Sequence, residues 1–232
     1  MYSSDYKNLK NLKDIHVGQV GLLLGNGPSV KTGDLEKFKD FISFACNRIH
    51  LAYDQFSFRP TYLLSSDEIM IADFGQEFIE HNKSVFLISK KRPFLSGAYT
   101  WIKMKNGRPF KFSKEIEKHI MEGGGTLISA VQIGYHMGIR KFYVYGVDHS
   151  FKFKIEKEKG CRNAYGDNNH FIKNYRSGKT WQAPIKDLVE EAFIKCDKIM
   201  RAEEGFIVNI TRGGKLEVLE RKDVESILKL RF

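Results

Sequence analysis

Short unbroken apolar runs, each closed by a polar or glycine-bearing turn, set the rhythm of this chain. Val20-Gly21-Leu22-Leu23-Leu24 is the first, and a strand buried on both faces needs a continuous run of this kind. Similar runs occupy 41–46, 61–65, 84–88, 141–145 and 206–210. Between them the period becomes helical: 32–41 with Leu35 and Phe38 inward, 126–137 entered through Gly123-Gly124-Gly125, and 184–204. Residues 1–18 carry Tyr6, Leu9, Leu12 and Ile15 on one face and predict a helical lead-in. Strands alternating with helices predict an α/β fold, a mostly parallel sheet flanked by helices with right-handed crossovers, Rossmann-like in character. No repeat or linker interrupts the pattern, so 1–232 is read as a single domain.

In such sheets the ligand sits beyond the carboxyl ends of the strands. The predicted strand ends are polar here: Asn26, Asn47, Asp67, Asp148 and Thr211-Arg212. Residues 151–180 are polar and glycine-containing, and predict a long loop over the site, in the manner of a lid.

Composition narrows the classes. Hydrophobic residues make up 42%, enough for a packed interior, and the 28 Phe and Tyr belong mainly to it. The net charge of +10 attracts polyanions or phosphorylated small molecules. Lys and Arg are spread along the chain, and no nucleic-acid-binding signature is present, so nucleic acid is not the expected partner. Three distant cysteines, Cys46, Cys161 and Cys196, exclude a disulfide framework or a CxxC zinc site. Without a signal-like or membrane-length apolar run, the expected location is the cytoplasm, with charge-driven attachment to the inner membrane face as an extension. The oligomeric state is not set by the sequence.

Gly25-Asn26-Gly27-Pro28-Ser29, between a strand and a helix, is the first chemical candidate. Glycine lets backbone approach a ligand, and amides opening the next helix can face a phosphate. The competing reading is a tight turn. Asp67 and Asp148 at strand ends suit Mg²⁺, the one cofactor the residues suggest, although either carboxylate can equally cap a helix or turn. His149 and His170 are candidate general bases, with Asp148 beside the first. Arg176, Lys179 and Arg212 are candidates for holding a departing phosphate. Thr126, Ser129 and Trp181 are assigned to the sugar or acceptor.

These motifs carry a resemblance. GNGPS after an apolar strand, Cys46-Asn47-Arg48, Ser65-Ser66-Asp67, the segment from Gly138 to Asp148 and that from Asn209 to Val218 resemble the Rossmann-like family of 6-hydroxymethylpterin diphosphokinase MptE-like proteins, over about residues 8 to 228. GNGPS, the Cys46-Asn47 pair and the G-x-x-K-x-Y-x-x-G-x-D string from Gly138 to Asp148 are also similar to bacterial sialyltransferases with a GT-A-like fold. That second resemblance implies a GT-A-like variant of the fold, with Asn26 and Asn47 on a CMP-sugar donor. Its HYxxH motif corresponds to His170-Phe171-Ile172-Lys173-Asn174, which keeps the first histidine alone. Two tyrosines of that family fall near Ser150 and Glu156, where tyrosine is missing.

The function expected is a glycosyltransferase of cell-surface polysaccharide or glycolipid synthesis. It would take a nucleotide-sugar donor, CMP-sugar favoured, and a glycan or glycolipid acceptor. A Mg²⁺-dependent diphosphokinase acting on a hydroxymethylpterin-type substrate is the rival enzyme, and a non-catalytic nucleotide-binding module the third reading.

Overall fold

The computed structural model describes residues 4–152, 154–158, 161–165, 169–179, 181–182 and 184–229. Its strands are β1 (Val20–Leu24), β2 (Ile42–Cys46), β3 (Tyr62–Ser65), β4 (Val85–Ser89), β5 (Thr100–Lys105), β6 (Ile120–Met121), β7 (Lys141–Tyr145), β8 (Lys154–Glu158), β9 (Cys161–Tyr165), β10 (Trp181–Gln182), β11 (Phe206–Asn209) and β12 (Glu220–Arg221). The helices are α1 (Ser4–Asn11), α2 (Thr32–Leu35), α3 (Glu68–His81), α4 (Thr126–His136), α5 (Lys186–Arg201) and α6 (Val224–Lys229).

Nine strands form one sheet in the order β12-β11-β7-β1-β2-β3-β4-β5-β6, and every neighbouring pair is parallel. The apolar runs are continuous because both faces are covered. Leu23, Phe44 and Val144 pack with residues of α1, α4 and α5. Leu22, Leu24, Ala45 and Leu63 pack the other way, with residues of α3 and α6. This is an α/β, Rossmann-like sheet flanked by helices, as the alternation of elements predicts.

The strand order holds the functional clue. From β1 the chain moves outward through β2 to β6, and α4 then returns it to β7, on the other side of β1. The order therefore reverses between β1 and β7, and a crevice opens there at the carboxyl ends.

Three local expectations are corrected. The helix expected over 32–41 is one turn of α2 followed by a 3-10 turn at Glu36–Phe38. Its N-cap is Lys31, whose side chain caps nothing, and Gly33 weakens the turn further. The lead-in helix covers only Ser4–Asn11, and Ile15 is 46% exposed. β5 lies outside the continuous apolar runs, since Thr100-Trp-Ile-Lys-Met-Lys alternates between a buried and an open face, the pattern of a strand covered on one side. Within 151–180, where a loop is predicted, β8 and β9 pair antiparallel and β9 pairs with β10. No helix among the described residues is long and apolar enough to cross a membrane.

Candidate functional site

The glycine turn is a clasp between β1 and β7. Gly25 N donates to Tyr145 O at 2.8 Å and Gly27 N to Gly146 O at 2.9 Å. Ser29 N donates to Asp148 Oδ2 at 3.3 Å, Lys31 N to the Tyr145 hydroxyl at 3.1 Å, and Pro28 has no N–H to give. Gly27 must lack a side chain because a Cβ there would overlap the Asp148 carboxylate. Most amides that a phosphate cradle would use are thus committed within the protein, and the one-turn α2 brings little dipole to replace them.

Asp148 Oδ2 also accepts from Ser29 Oγ at 2.7 Å. Beside this clasp lies a cavity of about 180 Å³ lined by Asn26, Asn47, Asp148, His149, His170 and Tyr175, among others. A second, of about 240 Å³, adjoins it through Asn47 and Phe151 and reaches Ser66, Asp67, Glu122 and Thr126. Together they fall in the range of small-molecule sites, roughly 300–1,000 Å³.

The two asparagines meet at this junction. Asn26 Nδ2 donates to Cys46 O at 2.7 Å and to the Tyr175 hydroxyl at 2.8 Å. Its Oδ1 is buried without a hydrogen-bond partner among the described residues. Asn47 takes a left-handed backbone, φ 55°, and its Oδ1 accepts from Ser65 Oγ at 2.8 Å. Left-handed backbone is tolerated by asparagine better than by most residues. Cys46 also faces the first cavity, and burial pushes its thiol up to about 12, so it stays protonated and unreactive.

His149 has a left-handed backbone, φ 52°, and its Nε2 lies 2.8 Å from Glu190 Oε1 on α5. A carboxylate that orients an imidazole at a cavity wall is the arrangement general-base catalysis uses. Glu190 escapes a sequence reading, since it is one of several acids on an amphipathic helix. His170 is stacked on Tyr175, ring centroids 3.6 Å apart. Burial, aided by the Arg176 charge, lowers its pKa to about 4. It is neutral at pH 7 but a weak base, so His149 is better placed for proton transfer.

Several expected partners are engaged elsewhere. Arg176 Nη2 and Lys179 Nζ both reach Asp73 on α3, at 3.3 and 3.0 Å. Arg48, which sequence reasoning passed over, donates to Tyr175 O at 2.8 Å and pairs with Glu77 at 2.9 Å. These contacts pin 174–179 against α3, and Tyr175 is fully buried. Arg212 grips Asp34 with two nitrogens, at 2.7 and 3.0 Å, and also pairs with Glu225, so it joins α2 to α6 outside the cavities. Burial works against ionisation of Asp34, yet the hydrogen bonds from Arg212 and Tyr145 hold its carboxyl below the usual range.

Asp67 Oδ1 caps α3, accepting from Ile69 N at 2.9 Å and Met70 N at 3.1 Å. Its strand is three places from that of Asp148, roughly 14 Å at ordinary strand spacing. The pair therefore does not fit a single Mg²⁺, and among the described residues no group of three His, Cys, Asp or Glu forms a metal cluster. Thr126 opens α4 at the second cavity and its Oγ1 accepts from Ser66 N at 3.2 Å. Ser129 is buried inside α4 and lines neither cavity, which removes it from contact with a sugar. Trp181 belongs to β10, but its side chain lies outside the described residues.

Fold and crevice define a Rossmann-like α/β protein with a small-molecule cavity at the reversal of strand order. No protein-family model and no curated protein sequence matches the chain. Among solved structures, its fold is similar to that of the MAf glycosyltransferase from Magnetospirillum magneticum AMB-1, with a TM-score of 0.53 at 14% identity. That match covers 100% of this chain and 41% of the other protein.

Proposed function

We propose that this chain is a nucleotide-sugar-dependent glycosyltransferase domain, with its donor in the crevice at the carboxyl ends of β7, β1 and β2. The observation that carries this reading is the cavity at the reversal of strand order, lined by Asn26, Asn47 and the Glu190-oriented His149. Fold similarity to a glycosyltransferase supports it. Asn47, shared by the two cavities, contacts the nucleotide. The phosphate lies toward the first turn of α4, where N-cap Gly125 has no side chain to occupy the helix end. Thr126 sits beside it, and Asp67 and Glu122 are left to hold sugar hydroxyls.

His149 takes the proton from an acceptor hydroxyl as its oxygen bonds to the anomeric carbon, and the nucleotide leaves with its phosphate. The acceptor is a glycan or glycolipid. CMP-sugar is favoured as donor, as the sialyltransferase-like motifs imply, because a single phosphate suits a site whose carboxylates do not converge on one cation. That separation of Asp67 from Asp148 also weighs against the diphosphokinase implied by the MptE-like resemblance.

Thermal-shift titration with CMP, UDP, GDP, ADP, ATP and CMP-sialic acid, with and without Mg²⁺, tests the reading. Stabilisation by a pyrimidine nucleotide without metal, lost in Asn47→Ala, is the expected result. Stabilisation by ATP with Mg²⁺ alone would overturn it in favour of the diphosphokinase. Donor binding with no turnover across a range of acceptors would identify a binding module.

A further inference from the structure

The cations of this chain are spread along it, but the acids are not. Between His81 and Glu115 stand nine lysines and arginines and not one aspartate or glutamate, against a net charge of +10 for the whole chain. All nine are exposed. Three have ion-pair partners: Lys90 with Glu68, Arg92 with Asp5 and Lys114 with Glu203. The other six have none among the described residues. The fold places six of the nine, from Lys83 to Lys105, around β4 and β5 near one end of the sheet. The remaining segment runs against α5, where Phe110 N donates to Glu191 and Lys114 pairs with Glu203. On β5, Lys103 and Lys105 alternate with buried Ile102 and Met104, so both lysines leave the same side of the strand. The pKa of nearby His119 is lowered by burial and then by Lys105, Lys103 and Lys118, with Glu115 opposing, a local record of the positive field.

Within this field stands Phe94, at 106% relative exposure. It follows Lys90-Lys91-Arg92-Pro93 directly. Its loop is held: Leu95 packs over Gly75 of α3, Ser96 N donates to Gln76 Oε1 at 3.1 Å, and the Tyr99 hydroxyl donates to Pro93 O at 2.6 Å. The ring is therefore presented outward by an anchored loop. Single exposed apolar side chains are common. A fully exposed aromatic inside an acid-free basic tract is a different case.

We propose that the 90–94 loop, with Lys103 and Lys105, is a docking surface for an anionic phospholipid bilayer. Phe94 enters the headgroup region, and the lysines meet lipid phosphates. A single-stranded nucleic acid could satisfy the charge and stack a base on Phe94. Such binding uses several aromatics along a basic groove, whereas here one ring stands alone among the exposed large apolar side chains of this loop. Lys90 N donates to Glu68 Oε1 at 2.9 Å, next to Asp67 at the second cavity, so docking would bring the candidate site to the membrane surface. The proposal does not depend on the transferase reading, since it concerns binding alone.

Co-sedimentation of the full chain with vesicles tests it. Vesicles containing about a third phosphatidylglycerol should bind the chain, phosphatidylcholine alone should not, and high salt should release it. Charge reversal at Lys91, Lys103 and Lys105 together should weaken binding about 100-fold or more. Phe94→Ser should weaken it about 10-fold. Ile194→Ser, at an exposed apolar position on α5, should leave it unchanged. Circular dichroism of these surface variants separates lost binding from lost fold. Failure to bind anionic vesicles, equal binding to neutral ones, or indifference to Phe94→Ser would each overturn the proposal. Indifference accompanied by equal affinity for an RNA homopolymer would identify a polyanion surface in its place.

Discussion

The Tyr175 hydroxyl accepts a hydrogen bond from Asn26 Nδ2 at 2.8 Å, which ties the segment after β9 to the turn after β1. Burial pushes the Tyr175 phenol well above its ordinary pKa, so it stays a neutral group packed against His170. Tyr175→Phe keeps the packing and leaves Asn26 Nδ2 with Cys46 O. The expected cost is about 1 kcal/mol in urea unfolding. A double-mutant cycle with Asn26→Ala should show coupling of about 0.5 kcal/mol or more. Additive losses would mean that the two side chains do not hold each other.

A second prediction concerns Gly27, where any Cβ meets the Asp148 carboxylate and lies 2.8 Å from Gly146 O. Gly27→Ala should lower stability by about 2–3 kcal/mol, the range of overpacked sites. Placing Asp148→Gly beside it should recover part of that loss, because one of the two contacts is removed. No recovery in calorimetric Tm would show that the clash with Gly146 alone decides the cost.

The buried strands of the sheet's middle were legible because a strand covered on both faces has few polar positions. Val20–Leu24 and Lys141–Tyr145 match their apolar runs residue for residue. Polar strand ends pointed to the crevice for the same topological reason. The ion pairs were not legible. Arg212 finds Asp34 178 residues away, and Arg176 finds Asp73 103 residues away, separations at which sequence spacing carries no signal. The concentration of charge around β4 and β5 was hidden differently: counting cations spreads it evenly, and the missing acids reveal it.

His170 sets a pH dependence of stability. Its folded pKa, about 4, lies below the unfolded value of 6.5. Between these values the unfolded chain binds the extra proton, so stability rises with pH across that window. The contribution is complete above about pH 6.5, is lost progressively on acidification, and levels off below pH 4. It amounts to roughly 3–4 kcal/mol. Urea midpoints measured from pH 7 to pH 4 should fall less steeply in His170→Gln than in the parent chain. Parallel profiles would show that other groups carry the acid sensitivity.

The pair His149–Glu190 yields the sharpest kinetic prediction, because geometry and sequence assign different weight to its members. His149 was legible as a residue after a strand-end aspartate, whereas Glu190 emerges only when α5 packs against β11 and α4. If His149 receives the acceptor proton, His149→Ala should lower kcat by about 10²–10⁴-fold. Glu190 touches no substrate in this arrangement and acts by holding the ring, so Glu190→Gln should lower kcat by about 10-fold with little change in KM. The amide can still hydrogen-bond to the ring, and Glu190→Ala should therefore lose more than Glu190→Gln. A purely structural role would instead reduce stability in all three variants and leave kcat of the folded fraction intact. Measuring active-site concentration alongside kcat separates the two cases, and an unchanged kcat in His149→Ala would remove this histidine from the chemistry.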